Sequence, residues 1–161
     1  MYEQEVLQMI RSNLAFMGTV DGDRPRVRPM KPYIDREGHI WLFSRFDSKK
    51  VAELENNPRV ELCFVGQDQE VLNLYGRLRD DTRHGSATFR VLRDMMFAEI
   101  PEMKNYFPQQ DLNSLIIYRF IVHEIRYRRP SGEFTTRVNL PMKQDPDIEL
   151  SLCQGGFCLM P

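Results

Sequence analysis

Two short basic segments hold the residues best suited to chemistry in this chain. Ser48, Lys49 and Lys50 follow one another in FDSKKVAELENNP, and Arg26, Arg28 and Lys31 fall in RPRVRPMK. The first segment opens a short helix expected over 48–56, with Asp47 or Ser48 as N-cap and Asn57-Pro58 as its stop. A helix N-terminus presents free N–H groups and a partial positive charge, which favours acidic side chains. Two lysines in that turn instead cost about a few tenths of a kcal/mol at low salt. A bound anion would offset this cost. A phosphate there would meet both ammonium groups, the Ser48 hydroxyl and backbone donors together. A solvated lysine pair after a turn accounts for the pattern equally well.

In the second segment, strand alternation places Arg26 and Arg28 on one face. Two guanidinium groups facing one way can fork onto a phosphate or a polar ring edge. Pro29 lacks an N–H and leaves part of the strand edge open to a ligand. Taken alone, this segment is better explained as a charged outer face that protects an edge strand from aggregation.

The elements that must position these groups are legible as patterns. Val6, Leu7, Ile10 and Leu14 form a helical stripe near the N-terminus. Strands are expected over 14–20, 26–35, 39–44, 59–65, 70–79 and 114–128. Pro29 and Pro32 make the second an edge or bulged strand. Asp21-Gly22-Asp23 and Arg36-Glu37-Gly38 mark tight turns. Residues 82–105 switch to helical periodicity through Phe89, Leu92, Met96 and Ile100. Six short antiparallel strands with flanking helices predict a mainly β protein built on a closed or partly closed barrel. The domain is expected over 1–137, with 138–161 a tail or arm.

The totals exclude several classes. A net charge of −1 gives no global basic field for nucleic acid. No apolar run approaches the roughly 18–20 residues needed to span a bilayer. The polar N-terminus lacks the apolar core of a signal peptide, so a cytoplasmic location is expected. The three cysteines match no zinc spacing. Cys63 reads as a small core residue, and Cys153 and Cys158 as parts of a tail docked on something apolar. His39, His84 and His123 are scattered and read as structural or exposed.

RVRPMK followed by FSRFDSKKVAELENNPRVELCF resembles the pyridoxamine 5'-phosphate oxidase-like flavoproteins. The shared pattern is an arginine-rich second strand, an aromatic-hydroxyl pair, a serine-lysine triplet and a helix ending in Asn-Pro. Here these are Arg26 to Lys31, Phe43-Ser44, Ser48-Lys49-Lys50 and Asn57-Pro58, spaced without a gap. The general-stress and nitroimidazole-reductase-like branch is the most similar. The resemblance implies an FMN-binding split barrel and a homodimer with FMN at the subunit interface. Ser48, Lys49 and Lys50 would then hold the phosphate, with Arg26 at the phosphate or ribityl end. Arg28, Pro29 and Met30 would line the ring, Phe43 and Ser44 would touch it, and Lys31 would face the substrate side.

The implied activity is an FMN-dependent oxidoreductase passing electrons from a reduced nicotinamide or other donor to a small oxidised substrate. Alternatives are a non-catalytic flavin sensor or storage module, or a barrel binding haem or deazaflavin. Departures argue against the vitamin oxidase reaction itself. Val71 stands where the oxidases carry a flavin-contacting glutamine, and their Tyr-Arg-Ser substrate group is missing from 106–118. No residue is required as a classical acid or base, and none is assigned.

Overall fold

A computed structural model describes residues 2–107, 113–136 and 138. The chain begins with α1 (Glu3–Ser12), β1 (Ala15–Asp21), β2 (Arg24–Met30), β3 (Tyr33–Ile34) and β4 (Ile40–Arg45). It continues through α2 (Lys49–Asn56), β5 (Arg59–Val65), β6 (Val71–Asp80), α3 (Ala87–Glu99) and α4 (Met103–Tyr106). The long β7 (Leu115–Arg128) and short β8 (Phe134–Thr135) follow. The strands form one sheet in the order β2-β1-β5-β6-β7-β4-β3, with β8 paired to β7.

That order explains the barrel. β2 and β3 lie at opposite ends of the sheet, yet only Lys31 and Pro32 separate them in the chain. Three Cα steps span at most about 11 Å, so the sheet must curl until its two edges nearly meet. No ladder joins β2 to β3 among the described residues, and the seam stays open there. The single second strand expected over 26–35 is therefore two strands on opposite edges, and with β8 the strand count among the described residues is eight rather than six. Pro32 supplies the break, since it cannot donate to a ladder.

Gly22, at φ +66°, turns β1 into β2. β6 and β7 shift register at Tyr75/Gly76, where His123 is left unpaired. A Cβ at Gly76 would collide with the Ile121 carbonyl oxygen, so the bulge requires glycine.

Two apolar clusters follow from the curled sheet. Inside it, Met17, Leu62, Phe64, Leu72, Leu74 and Phe120 are sealed from water, and α1 adds Val6, Met9 and Ile10. The second lies where α3 and α4 cover Trp41, Leu115 and Ile117 with Phe89, Met96 and Met103. The expected 82–105 helix begins at Ala87, and the turn at Pro101 separates α3 from α4. Cys63 is not a core residue: pleat alternation sends Leu62 and Phe64 inward and leaves its thiol half-buried on the outer face. Burial pushes that thiol up, helped by the charge of Glu61. Val138, just past the expected domain boundary, packs into the main core. Cys153 and Cys158 lie outside the described residues. No helix among the described residues is long and apolar enough to cross a membrane.

Candidate cofactor site

The site is built where β4 turns into α2. Arg45 fixes that turn, its Nε donating to Asp47 Oδ1 at 3.1 Å and its Nη1 to the Tyr106 carbonyl of α4 at 3.1 Å. The Phe46 N–H donates to the Ser114 carbonyl at 2.9 Å. Ser48 then takes the N-cap conformation, with φ −71° and ψ 138°, but its hydroxyl makes no capping bond. No acid occupies the first turn of α2. The free end of this helix is thus left without the side-chain partner that most helices supply for themselves.

Lys50 is half-buried and lines a cavity of about 750 Å³. Burial pushes its ammonium group below the ordinary lysine value, reinforced by the charge of Arg28 and opposed by Glu53. An anion beside it would relieve that cost. Lys49 points away into solvent and is exposed.

The same cavity gathers Pro29, Met30 and Lys31 from the end of β2 and the seam, Phe43 and Ser44 from β4, and Ser48 and Lys50 from α2. These are seven of the ten residues expected to bind a cofactor, from three segments, so the seam and the α2 N-terminus form one cleft. Ser44 is buried at the cleft wall. Phe43 meets Phe107 edge-on with ring centroids 5.9 Å apart. Lys31 lines the cleft, but its Nζ donates to the Arg11 and Asn13 carbonyls at 2.9 and 3.2 Å, capping the C-terminal end of α1. Burial lowers its ammonium value, with Glu102 opposing.

Arg26 and Arg28 are placed differently. They face α2, where Glu53 carries a carboxylate only 6% exposed. Arg28 Nη2 donates to Glu53 Oε2 at 2.6 Å, and Arg26 Nε lies 3.8 Å from Oε1. Neither arginine lines the cavity. Thr19 completes the cluster by donating to the same Glu53 oxygen at 2.8 Å. Burial alone would push the Glu53 carboxyl up, but the Thr19 and Arg28 hydrogen bonds and the two arginine charges bring it below the usual value.

The far wall is not legible in the sequence. Glu99, Ile100, Glu102 and Phe107 come from the α3–α4 junction and its end. Helical periodicity showed that this segment has an apolar face but not which surface it covers. The histidines lie elsewhere: His39 on Asp35, His84 on the Leu115 carbonyl and His123 beside Tyr75. Among the described residues no cluster of His, Cys, Asp and Glu could hold a metal ion.

A curled antiparallel sheet with a ligand-sized cleft beside its seam defines a split β-barrel protein. The chain belongs to the pyridoxamine 5'-phosphate oxidase family, which matches residues 2–128. Among solved structures, a NimC/NimA family protein from Clostridium acetobutylicum is 24% identical, with a TM-score of 0.67 over 83% of this chain and 87% of that one. A FAD-binding protein from Mesorhizobium loti is 16% identical, with a TM-score of 0.59 over 76% of this chain and 90% of that one. A haem-binding protein from Mycobacterium smegmatis is 13% identical, with a TM-score of 0.64 over 85% of this chain and 58% of that one. At these identities the likeness is one of fold. Among curated proteins none matches the sequence.

Proposed function

We propose that the chain binds FMN in this cleft, with the phosphate at Ser48 and Lys50 and the ring toward Pro29, Met30, Phe43 and Ser44. The observation that carries the reading is the uncapped start of α2, opening with a partly buried lysine into a cavity of about 750 Å³. The residues fit the group: backbone and lysine donors suit a phosphate, and an apolar wall suits a flavin ring. Bound flavin would supply the redox chemistry, and the chain's own residues would bind and orient it. The activity that fits is an oxidoreductase using a reduced nicotinamide or other donor on a small oxidised substrate.

The haem-binding structural neighbour keeps a second reading open to test. The pure protein's absorption spectrum decides between them. A flavin visible band supports the proposal, and a Soret band with no flavin band overturns it. Anaerobic bleaching by NADH or NADPH would support an enzyme, whereas a flavin that no donor reduces would leave a binding module.

The second copy of the chain is the proposed partner. Phe16, Val27 and Val65 share the outward face of β1, β2 and β5 and are 45%, 70% and 49% exposed. Leu14 and Pro29 join this apolar region to the cleft. A dimer over it would cover part of the cleft, so Val27→Asp should give a monomer in sedimentation and weaken FMN binding. A variant that stays dimeric would remove this surface from the interface.

A further inference from the structure

We infer that Glu53 is a positioning residue for the phosphate end of the cleft, acting through the Glu53–Thr19–Arg28 triangle, which sets where the N-terminus of α2 lies. The inference rests on the FMN reading above and adds to it a group that touches no ligand. α2 is short, has no side-chain cap and carries no acid in its first turn. Its first turn has no side-chain bond of its own; the turn before it is held through Arg45 and Phe46, and Glu53 fastens the body of the helix. Glu53 lies one turn beyond Lys50 and is tied to two strands at once. Thr19 of β1 donates to Glu53 Oε2 at 2.8 Å, and Arg28 of β2 donates both to that oxygen at 2.6 Å and to Thr19 Oγ1 at 3.0 Å. Thr19 and Glu53 are 3% and 6% exposed, and Arg28 keeps some water on the third side of the triangle.

A closed triangle has fixed geometry, because each member is held by the other two. It is anchored on the β1–β2 hairpin, and β2 ends in Pro29 and Met30 at the cleft. The triangle therefore joins the two walls between which a phosphate and a ring would lie. In this inference Arg28 bears on the cleft through Glu53, with Arg26 beside the same carboxylate.

Charge and position predict opposite signs. Replacing Glu53 by Gln removes a negative charge near the phosphate site, and by charge alone FMN should bind more tightly. If the carboxylate positions α2, FMN should bind more weakly. Riboflavin lacks the phosphate and reports the ring end alone. The test measures the affinities of FMN and riboflavin for wild type, Glu53→Gln and the milder Thr19→Val. The FMN-to-riboflavin affinity ratio should fall about tenfold in Glu53→Gln and about threefold in Thr19→Val, with riboflavin binding little changed. An unchanged or raised ratio in Glu53→Gln overturns the inference. If Glu53→Gln does not fold, Thr19→Val decides alone, and an unchanged ratio there overturns it. Should wild type itself bind FMN and riboflavin alike, the phosphate reading has failed and the inference with it. A wild type that discriminates, with variants that discriminate equally, sinks only the role of Glu53.

Discussion

Among the described residues two helices start at a serine, and they start differently. Ser86, before α3, accepts a hydrogen bond from the Phe89 N–H at 3.1 Å. Ser48, before α2, has nearly the same backbone angles and makes no such bond. α3 then continues with Ala87 and Thr88, whereas α2 continues with two lysines. α3 has its first turn completed by its own chain and packs onto the sheet. The start of α2 is left open toward a cavity, and the helix is fastened further along, at Glu53. In the proposed reading, a helix start without a side-chain cap beside a half-buried ammonium offers a place for an anion, whereas a capped start serves the fold alone.

The largest effect should come from cutting the fastening of α2. Glu53→Gln leaves Arg28 partly buried without its carboxylate and should cost about 2–3 kcal/mol at neutral pH, less than a fully buried pair because Arg28 keeps some water. The pH dependence follows from the lowered Glu53 carboxyl. Its stabilisation is complete above the ordinary value of 4.5 and is lost as pH falls through the lowered folded-state value. Arg26, Arg28, Lys50 and Thr19 are the groups that face it. In thermal unfolding, the gap between wild type and Glu53→Gln should stay constant above pH 5 or so and close in acid. A gap that persists at acid pH would show that shape, not charge, fastens the helix.

The next effect separates the two lysines. Lys50 lines the cavity and Lys49 is exposed. Lys50→Ala should weaken FMN binding about tenfold, or about 1.4 kcal/mol, and Lys49→Ala only about twofold through the screened field. Equal losses measured by titration would mean that the phosphate sits outside the cleft, over the first turn as a whole.

Lys49 and Lys50 were legible in the sequence because they break a local rule, cations at the wrong end of a helix. The cleft residues of β2 and β4 were legible because their spacing to that helix matches a family pattern. Glu53 was not. In KKVAELEN it looks like any acid on a solvated helix face, and its burial depends on Thr19 and Arg28, 34 and 25 residues upstream. The division of 26–35 was hidden for a related reason: Pro29 and Pro32 announce an irregular strand, but only the order of the curled sheet sends its halves to opposite edges. Lys31 is the mixed case. Its place on the cleft follows from the motif, but its bonds to the carbonyls of α1 need the whole fold.

The smallest effect bears most directly on the two serines. Removing a working N-cap costs about 1 kcal/mol, so Ser86→Ala should lower stability by that much in denaturant unfolding. Ser48 makes no cap bond, and Ser48→Ala should cost at most about 0.3 kcal/mol without ligand, near the range for neutral surface changes. Ligand should reverse the order. With FMN present, wild type gains stability by mass action, and a variant that binds less tightly gains less. Ser48→Ala should then lose more than Ser86→Ala relative to its own ligand-free value, because only Ser48 lies on the cleft. Equal ligand-linked losses would mean that the Ser48 hydroxyl meets no phosphate, and the open start of α2 would be only a poorly capped helix.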